Sequence, residues 1–568
     1  MTDTHNARMY QYTAFDQRIV DERVAQFRDQ TERHLAGELS ADDFRVLRLQ
    51  NGLYIQRHAP MLRVAIPYGL VNTKQVRMFA HVARKYDRGY AHFTTRQNIQ
   101  FNWPELGRVP DILAELATVQ MHAIQTSGNC IRNTTTDQFA GVAPDEVVNP
   151  LVWAEIIRQW STIHPEFAYL PRKFKIAISG STKDRAATLV HDIGLVALKD
   201  DAGHIGFRVI VGGGLGRTPI VGTVIREFLP WRHLITYLEA VLRVYNRLGR
   251  RDNKYKARIK ILVKESTPAQ FAEWVEAEFE ATKDGRTLLS QSEIDLIAAR
   301  FTQPVYKDLP ADDAGTVTFA AAHDDFARWQ RRNVHAHRVD GYAAVTLSLK
   351  RIGVPPGDIT ADELDRVAAL ADQYNQGELR VTHEQNLVFS DVEISQLPGL
   401  YAELKALGMA TPNIGLIGNI IACPGGDFCD LANAVSIPVA ASIHERFESL
   451  DYQFDIGELD LNISGCINAC GHHHVGHIGI LGVDKHDEEW YQITIGGAQT
   501  LSVDGNRSTA KIGKIIGPSF ARADVPDVIE TLIQTYLSLR ERDDERFVDV
   551  VARTGIEPFK ERVYAEAN

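Results

Sequence analysis

Two close pairs of cysteines are the residues of this sequence best suited to hold a metal. Cys423 and Cys429 lie in "ACPGGDFC", and Cys466 and Cys470 lie in "GCINAC". Four histidines follow the second pair in "GHHHVGH". Thiolate and imidazole at short spacing are typical ligands of zinc, and four thiolates also hold an iron–sulfur cluster. The sequence therefore predicts a metal centre in its C-terminal part.

The spacing of the cysteines favours a cluster over zinc. Zinc pairs usually enclose roughly two to four residues, because both thiolates must reach one small ion. Five residues separate Cys423 from Cys429, which suits a larger group such as a four-thiolate cluster. On spacing alone, zinc held by the same four thiolates remains an alternative, and with it a non-catalytic structural protein.

The histidines are weaker candidates for metal ligands than the cysteines. His473 and His474 are adjacent, so they cannot easily face one ion together. We expect all four histidines, His472, His473, His474 and His477, to lie either near the metal centre without binding the metal or at the protein surface. Cys130 has no partner at cluster spacing and is predicted to be a buried thiol.

Composition and charge narrow the class of protein. The chain has 568 residues, a net charge of −11 and only five cysteines, which argues against a general nucleic-acid binder and against a disulfide framework. No run of eighteen apolar residues occurs, and the start, "MTDTHNARMYQYTAFDQRIVDERV", has no apolar core of signal-peptide length. These features predict a cytoplasmic enzyme with neither a membrane nor a nucleic-acid partner.

The chain repeats itself at a nearly constant offset. "TTRQNIQF" (94–101) matches "THEQNLVF" (382–389), an offset of 288 residues. "ISGSTKDRAATLVHDIGL" (178–195) matches "ISGCINACGHHHVGHIGI" (463–480) without a gap, an offset of 285. "FRVIVGGG" (207–214) matches "YQITIGGA" (491–498) at 284. The sequence therefore predicts an internal duplication, with two halves related by a pseudo-twofold axis.

The two halves place different chemistry at equivalent positions. In the alignment Cys466 faces Ser181 and Cys470 faces Arg185, so the first half lacks these metal ligands. The same region of the first half instead carries three cations in "LPRKFK" (170–175). We predict a site between the halves that uses the thiolates of one and the positive charge of the other.

Two of those cations alternate along a predicted strand. Lys173 and Lys175 would leave the same face of "KFKIAISG", and their mutual repulsion would lower the pKa of at least one of them. The flanking apolar "IAI" argues against a solvated surface strand. A lysine whose pKa is lowered in this way is a better proton donor.

The remaining pattern indicates a mixed α/β (α+β) fold. "GFRVIVGGG" and "YQITIGG" are further strand patterns, and "LITYLEAVLRVYNRL" is an amphipathic helix pattern. The alternation in "KARIKILV", within the basic run 247–265, predicts a strand with one cationic and one apolar face. The polar stretch from about residue 266 to 325 is typical of a connection between halves.

As a set, "ACPGGDFC…GCINAC", "LPRKFK", "MLRVAIPYGLVNTKQ", "FTTRQNIQF" and "VGGGLG" resemble the sirohaem- and [4Fe–4S]-dependent sulfite and nitrite reductases. The resemblance covers nearly the whole chain from about Arg45 and includes the duplication. It implies a ferredoxin-like half-domain and a sirohaem- and cluster-binding α/β domain in each half. The implied division is an N-terminal extension (1–55), half-domain (56–125), α/β domain (126–280), linker (281–325), half-domain (326–400) and α/β domain (401–568).

The resemblance also assigns roles to residues. Cys423, Cys429, Cys466 and Cys470 would hold the cluster, and Cys470 would also be the axial ligand of the sirohaem iron. The substrate-side cations would be Arg63, Arg132, Lys173 and Lys175. Residues that would contact sirohaem are Arg96, Gln100, Arg172, Gly213, Gly214, Lys256, Arg258, Asn468 and Cys470.

The glycine-rich turn "VGGGLG" (211–216) is not a dinucleotide-binding fingerprint. Arg217 stands where that fingerprint needs its last glycine. Under the resemblance, the turn is a backbone segment that passes close to the macrocycle.

The implied reaction is the six-electron reduction of sulfite to sulfide, with nitrite to ammonia as the alternative. In the family, nitrite enzymes tend to replace the second lysine of this motif with asparagine, whereas Lys175 is retained here. Retention favours sulfite, the more highly charged anion. No flavin or NADPH domain is visible, so electrons are expected from a separate ferredoxin or diflavin reductase.

Overall fold

The computed structural model describes residues 9–309, 325–502 and 508–565. Parts of the predicted N-terminal extension (1–8) and of the predicted linker (310–324) lie outside the described residues. Two kinds of sheet recur in the described part of the chain, and each kind occurs once in each half.

The helices, numbered in chain order, occupy the following ranges: α1 Ala14–Leu35, α2 Ala41–Leu49, α3 Thr73–Tyr86, α4 Val109–Ala117, α5 Pro150–Ser161, α6 Leu234–Leu248, α7 Ile259–Ser266, α8 Pro268–Thr282, α9 Gln291–Ala298, α10 Asp325–Asn333, α11 Ala361–Tyr374, α12 Leu397–Ala406, α13 Ile437–Arg446, α14 Leu450–Ile456, α15 Val525–Leu539, α16 Phe547–Thr554 and α17 Glu557–Ala565.

The strands occupy the following ranges: β1 Leu53–Ile55, β2 Pro60–Val64, β3 Leu70–Asn72, β4 Tyr90–Phe93, β5 Ile99–Phe101, β6 Thr135–Thr136, β7 Ile176–Ser179, β8 Ile193–Lys199, β9 Ile205–Val211, β10 Thr223–Pro230, β11 Val334–Ala336, β12 Tyr342–Leu347, β13 Asp358–Thr360, β14 Glu378–Val381, β15 Leu387–Glu393, β16 Ile421–Ala422, β17 Leu461–Ser464, β18 Ile478–Lys485, β19 Glu488–Ile495, β20 Ala498–Ser502, β21 Ser508–Lys511, β22 Lys514–Ile515 and β23 Phe520–Ala521.

The first kind of sheet exchanges one strand between the halves. One sheet has the order β1-β2-β5-β4-β13 and the other β11-β12-β15-β14-β3. The fifth strand of each sheet therefore comes from the opposite half of the chain. Helices α3 and α11 pack against each other, and the side chains of both half-domains form one hydrophobic core. The two half-domains thus make a single folding unit.

The second kind of sheet carries parallel strands at one edge. In the first half the order is β10-β9-β8-β7-β6, and in the second it is β16-β17-β18-β19-β22 with β23 beside β19. The pairs β6–β7 and β7–β8 are parallel, as are β16–β17 and β17–β18. Each sheet has its own hydrophobic core, and a smaller cluster joins the two domains around Leu189, Leu215 and Val475.

Backbone geometry supports the predicted duplication. Ala187 and His472, which are 285 residues apart, both have left-handed backbone conformations (φ 54° and 58°) before a short 3-10 helix. The mixed α/β fold with duplicated domains, predicted from the sequence, is confirmed.

The basic run 247–265 does not form the predicted strand, and that prediction was wrong. Helix α7 occupies its second half and begins directly after Arg258. Ile259 and Val263 are four residues apart, so both face the first core from one side of a helix. The alternation of apolar and charged residues in this short segment fits either structure, and packing decides between them.

The connection between the halves, predicted from about residue 266 to 325, is shorter in the structure because α8 and α9 pack against the first core. Phe271, Val275 and Phe279 of α8, and Ile294 of α9, belong to the first core. These helices look polar in sequence because only one narrow face of each is buried.

Among the residues that the structure describes, no helix is both long enough and apolar enough to cross a membrane.

Candidate functional site

Two parallel strands bring the cysteine pairs together. Cys423 follows β16 directly, and Cys466 comes two residues after β17. These strands are neighbours, with Ala422 opposite Ile463, and the N–H of Cys423 donates to the carbonyl of Ile463 at 3.2 Å. The carboxyl ends of neighbouring parallel strands meet at one edge of a sheet, so both pairs lie at that edge.

The four thiols influence one another. Burial and, to a smaller extent, the neighbouring Cys470 raise the pKa of Cys423 to about 12. Burial also raises the pKa values of Cys429 and Cys466, and Cys470 again adds to both effects. The thiols of Cys423, Cys429 and Cys466, which resist ionisation, can be deprotonated at neutral pH when a metal group supplies positive charge.

Local hydrogen bonds favour thiolate at two of the sulfurs. The N–H of Gly465 donates to Sγ of Cys423 at 3.2 Å, and Nδ2 of Asn468 donates to Sγ of Cys466 at 3.4 Å. In the part of the chain that the structure describes, no group of three or more His, Cys, Asp or Glu side chains is arranged to hold one metal ion. Four thiols carried by two neighbouring strand ends fit the donor set of a four-thiolate cluster.

Of the two expected places for the four histidines, near the metal centre or at the surface, the structure excludes the surface for three. His472, His473 and His477 are buried. Nε2 of His474 is 3.0 Å from the carbonyl oxygen of Gly216, which links the second half to the glycine-rich turn of the first. Burial lowers the pKa of His474 to about 4, so its ring is neutral at physiological pH.

The segment before β7 presents two lysines on one side. Phe174, between them, is fully buried in the first core and pairs with Ile131. Lys173 and Lys175 are half-buried and have no hydrogen-bond or ion-pair partner for their ammonium groups among the described residues. Both therefore leave the side of the segment opposite Phe174, as their alternation predicted.

The two lysines resist protonation. Burial lowers the pKa of Lys173 to about 8, against the opposing effect of the nearby Cys470 thiol. Burial lowers the pKa of Lys175 well below its ordinary value, and Arg96 and Lys173 lower it further. Because Cys470 influences both lysines, the cationic segment of one half faces the last cysteine of the other.

Arg63 and Arg132 lie on neighbouring segments. Nη2 of Arg63 donates to Oε1 of Gln100 at 3.1 Å across the β2–β5 pair, while its buried Nε has no partner among the described groups. Arg132 donates to the backbone carbonyls of Thr126 and Gly128 at 2.7–3.0 Å. These carbonyls orient the Arg132 guanidinium without neutralising its charge.

Arg96 is held by neutral acceptors. Its guanidinium donates to Thr135 at 3.0 Å, to the carbonyl of Asn133 at 2.6 Å, and to Nε2 of His191. The other ring nitrogen of His191 is 2.7 Å from the carbonyl of Ala187, so a neutral His191 donates there and accepts from Arg96. Burial and the nearby Arg132 lower the pKa of Arg96 to about 9.

The cations of the basic run 247–265 differ from one another in exposure and in bonding partners. Lys256 is exposed, and Arg258 forms a bidentate ion pair with the buried carboxylate of Asp192 at 2.7–2.9 Å. Lys260 is buried instead, and its ammonium donates to the carbonyls of Gly214, Leu215 and Thr218 at 2.6–3.2 Å. The assignment of Lys256 and Arg258 to sirohaem stays a prediction.

The glycine-rich turn packs against the chain itself. A Cβ on Gly213 would lie 2.5 Å from the carbonyl oxygen of Leu189. Gly214 has φ 157° and Gly216 has φ 102°, and Gly216 faces the backbone of Ile467 between two of the cysteines. The turn therefore brings the first half into contact with the cysteine segment of the second. The roles of Gly213 and Gly214 toward sirohaem stay predictions.

Sequence reasoning missed residues that fix the position of the predicted ones. Oγ1 of Thr95 donates to the carbonyl of Cys470 at 2.7 Å, and the Asp192 carboxylate accepts from the N–H of Lys175 at 2.9 Å. His191 and Lys260 act in the same way on Arg96 and on the glycine-rich turn. The "VHDIG" motif, placed opposite "VGHIG" by the repeat, was the one available signal for His191 and Asp192.

Cys130 is half-buried rather than fully buried. Its Sγ donates to the carbonyl of Ser127 at 3.2 Å, and burial raises the pKa of the thiol. It takes no part in the cysteine edge described above.

Six cations without ion-pair partners in the described parts of the chain lie around the cysteine edge: Arg63, Arg96, Arg132, Arg172, Lys173 and Lys175. Lys173 and Lys175 are close enough to Cys470 to be influenced by it, Arg63 influences Cys429, and Arg96, Arg132 and Arg172 influence the two lysines. Arg158 and Arg258 of the first half, in contrast, are paired with the carboxylates of Glu155 and Asp192. Uncompensated buried charge is unfavourable unless an anion joins it. The residues present therefore fit a polyanionic group such as sirohaem, whose eight carboxylates need cationic partners, together with a small oxyanion.

Family models match both halves of the chain. The model described as "Nitrite and sulphite reductase 4Fe-4S domain" matches residues 127–283 and 416–568, which is more than half of the chain. The model described as "Nitrite/Sulfite reductase ferredoxin-like half domain" matches 54–119 and 346–407. Each model matches twice, in agreement with the duplication.

Relatives of both substrate types are similar to this chain. The chloroplastic ferredoxin–nitrite reductase of Arabidopsis thaliana is 29% identical over 523 residues, covering 89% of this chain and 82% of the relative. The ferredoxin-dependent sulfite reductase of Mycobacterium tuberculosis is 28% identical over 506 residues, covering 87% and 82%. The solved structure of the Mycobacterium tuberculosis NirA protein has a TM-score of 0.75 at 26% identity and covers 92% of both chains.

The duplicated domains, the cysteine edge and the cations that face it agree with the family models. The chain belongs to the nitrite and sulphite reductase family, whose members are oxidoreductases that use sirohaem and a [4Fe–4S] cluster.

Proposed function

We propose that this protein reduces sulfite to sulfide with electrons from a ferredoxin. The observation that carries the proposal is the group of six cations around the cysteine edge that have no carboxylate partner in the described chain. Sulfite near pH 7 is largely a dianion and nitrite a monoanion, so each uncompensated cation contributes more to binding sulfite. Lys175 adds one such group where nitrite enzymes of the family tend to have asparagine, and a bound anion would favour its protonated form.

Each residue acts on the substrate by charge or by proton transfer. The guanidinium groups of Arg63 and Arg132 would hold the oxyanion in its ionised form. Lys173, whose pKa burial lowers to about 8, holds its proton at neutral pH but releases it readily. Lys173 and Lys175 would donate protons to the departing oxygens, since the reduction of SO₃²⁻ by six electrons consumes seven protons and yields HS⁻ and three waters.

The cofactors provide the electron chemistry when bound, and the chain positions them. Cys423, Cys429, Cys466 and Cys470 would hold the cluster, with Cys470 also facing the sirohaem iron. Arg96, Gln100, Arg172, Lys256, Arg258 and Asn468 would contact the sirohaem periphery. The half-domains would be 56–125 and 326–400, and the α/β domains 126–280 and 401–568.

A ferredoxin is the proposed donor because both kinds of relative carry that donor in their names. A diflavin reductase has no comparable support. Five cysteines without a disulfide framework suit a reducing compartment, which supports a cytoplasmic location.

Reduction of nitrite is the second candidate, since relatives named as nitrite reductases are as similar as those named as sulfite reductases. Paired steady-state kinetics with an artificial one-electron donor would separate the two. We expect a higher kcat/KM for sulfite than for nitrite, in a protein whose absorption spectrum has a Soret and a red band. A higher kcat/KM for nitrite would overturn the choice of sulfite, and a colourless protein would overturn the cofactor assignment.

A further inference from the structure

Lys260 is a buried lysine whose ammonium is held by backbone carbonyls. It is the second residue of α7, its exposed fraction is 4%, and it forms no ion pair in the described chain. Its Nζ donates to the carbonyls of Thr218 at 2.6 Å, Leu215 at 2.7 Å and Gly214 at 3.2 Å. The helix dipole disfavours a cation in the first turn of a helix, and burial adds to that cost. The three carbonyls are the groups that offset it.

Those carbonyls form a cation site within the glycine-rich turn. Carbonyl oxygens that point at one place repel one another unless a cation lies between them. Four of the six residues in "VGGGLG" are glycines, which adopt many backbone conformations at similar free energy. The sequence of the turn therefore does not fix its shape, and the Lys260 ammonium favours the conformation in which the three carbonyls converge.

The same turn contacts the cysteine segment of the second half. A Cβ on Gly216 would lie 3.4 Å from the carbonyl oxygen of Ile467, between Cys466 and Cys470. Nε2 of His474 donates to the carbonyl of Gly216 at 3.0 Å. A change in the conformation of the turn would therefore alter two contacts with the segment that carries two of the four thiols.

The residue directly before α7 holds the cationic segment of the first half. Arg258 pairs with Asp192 at 2.7–2.9 Å, and Asp192 accepts from the N–H of Lys175 at 2.9 Å. Arg258 and Lys260 also meet at Gly214, where a Cβ would lie 3.0 Å from Nη2 of Arg258 and 3.2 Å from Cδ of Lys260. The start of α7 thus connects the cationic segment of one half to the cysteine segment of the other.

We propose that Lys260 is a positioning residue that acts as a built-in monovalent cation, and that its ammonium holds the glycine-rich turn against the cysteine segment. The proposal rests on the proposed function, because the turn is expected to border the sirohaem there. The carbonyl site recognises a primary ammonium by three N–H donors and one positive charge. A small alkylammonium ion should therefore replace the side chain when it is removed.

The test uses the holoenzyme and the variant Lys260→Ala, which leaves the space of the side chain open. Hydrogen–deuterium exchange reports on the turn, because the N–H groups of Gly214 and Ile220 donate to each other's carbonyls at 2.9 Å. We expect exchange in peptides that span 212–220 to become roughly tenfold faster or more, from the size of a charge-assisted hydrogen bond. Exchange in α11, which belongs to a different core, should not change. Less sirohaem should remain per chain after gel filtration.

Chemical rescue separates the role of the charge from that of space filling. n-Propylammonium supplies the carbons and the ammonium that Lys260→Ala lacks. We expect it to slow exchange in 212–220 again and to raise kcat/KM for sulfite with methyl viologen as donor. 1-Propanol fills the same space without a charge and should restore neither.

Two further variants keep the test decisive. Lys260→Met keeps the stem and its packing but has no charge, so its turn should exchange as fast as that of Lys260→Ala. It should not respond to n-propylammonium, because its own side chain occupies the space. Lys264→Ala, at an exposed position on the same helix, should behave as the wild type does.

The proposal would be overturned if both Lys260 variants kept wild-type exchange in 212–220, or if n-propylammonium failed to restore it in Lys260→Ala. Equal rescue by 1-propanol, or an equal rise of exchange in α11, would also overturn it, since either result means that Lys260 only stabilises the fold. Failure of the proposed function looks different. In that case the wild type would not reduce sulfite with methyl viologen, while exchange and its rescue, which need no turnover, would still follow the expected pattern.

Discussion

The two halves of this protein share one backbone plan and carry opposite charge at its key positions. In the second half, Cys423 and Cys466 stand at the ends of β16 and β17. In the first half, the equivalent ends of β6 and β7 lead to Asp137 and Ser181. Where the second half gathers thiols, the first has Asp137 in an ion pair with Arg185 at 2.6 Å. One edge is arranged for a metal group and its counterpart is filled by its own side chains.

The segment that carries cations in the first half carries acidic residues in the second half. Lys173 and Lys175 precede β7, and Glu458 and Asp460 precede β17 at the same offset of 285 residues. The N–H of Lys175 donates to Asp192 at 2.9 Å, and that of Asp460 donates to Nδ1 of His477 at 3.2 Å, so the backbone geometry is conserved between the halves.

The acidic pair is also more exposed, with fractions of 57% for Glu458 and 44% for Asp460. Arg96 likewise corresponds to Glu384. A duplication thus kept its scaffold while one copy specialised in anions and the other in thiolate chemistry.

The largest effect is expected from a substitution at the cysteine edge of the second half, and the equivalent edge of the first half should respond differently. Cys470→Ser should remove both the sirohaem spectrum and the cluster and abolish turnover, because in the proposed assignment this thiolate would hold both groups. Far-ultraviolet circular dichroism should remain that of the folded protein. Retention of sirohaem, cluster and normal turnover in Cys470→Ser would contradict the axial role.

The equivalent residue of the first half should affect stability instead of chemistry. Arg185→Met leaves the buried Asp137 without its cation, which should lower the free energy of unfolding by about 2–4 kcal/mol. Iron content per folded molecule should not change. Urea unfolding and iron analysis of both variants measure these effects. A loss of iron without a loss of stability in Arg185→Met would contradict the difference proposed between the two halves.

The next effect concerns anion choice. Lys175→Asn should lower kcat/KM for sulfite by about ten- to a hundredfold, since a charge-assisted hydrogen bond is worth roughly 1.5–3 kcal/mol. Nitrite reduction should fall much less, because nitrite carries less charge. The matched control in the other half, Asp460→Asn, should leave both rates near wild type in the same viologen-driven assay. Equal losses on both anions for Lys175→Asn would assign that lysine to proton delivery alone.

The smallest effect tests a buried cation of the second half. Lys350 has an exposed fraction of 2%, its Nζ has no partner among the described residues, and burial lowers its pKa to about 7. The unfolded chain binds this proton more tightly, so the cost of burying Lys350 is full below about pH 7 and vanishes above about pH 10.5.

Lys350→Met should therefore raise the free energy of unfolding by roughly 1–3 kcal/mol at pH 7, with a smaller gain at pH 9.5. Urea unfolding at the two pH values measures the difference, and Lys264→Met, at an exposed site on α7, serves as the control. A loss of stability in Lys350→Met would show that this ammonium has a favourable partner, as the cations of the first half are proposed to have.

The sequence by itself determined the duplication, the fold class and the family. Repeats of matched length at offsets of 284–288 residues have the same order of strands and glycines in both halves. The same order specifies the same backbone structure in each half. The alternation of Lys173 and Lys175 around Phe174 was equally readable, since strand geometry puts every second side chain on one side.

Only the tertiary structure decided which charges are compensated. Arg258 and Lys256 look alike in sequence, yet Arg258 is paired with Asp192, 66 residues earlier in the chain, and Lys256 faces solvent. Tertiary packing likewise made the part of "KARIKILV" from Ile259 onward a helix, buried three of the four histidines, and exchanged β3 and β13 between the halves. Each outcome depends on contacts between residues far apart in the chain, and local spacing carries no record of such contacts.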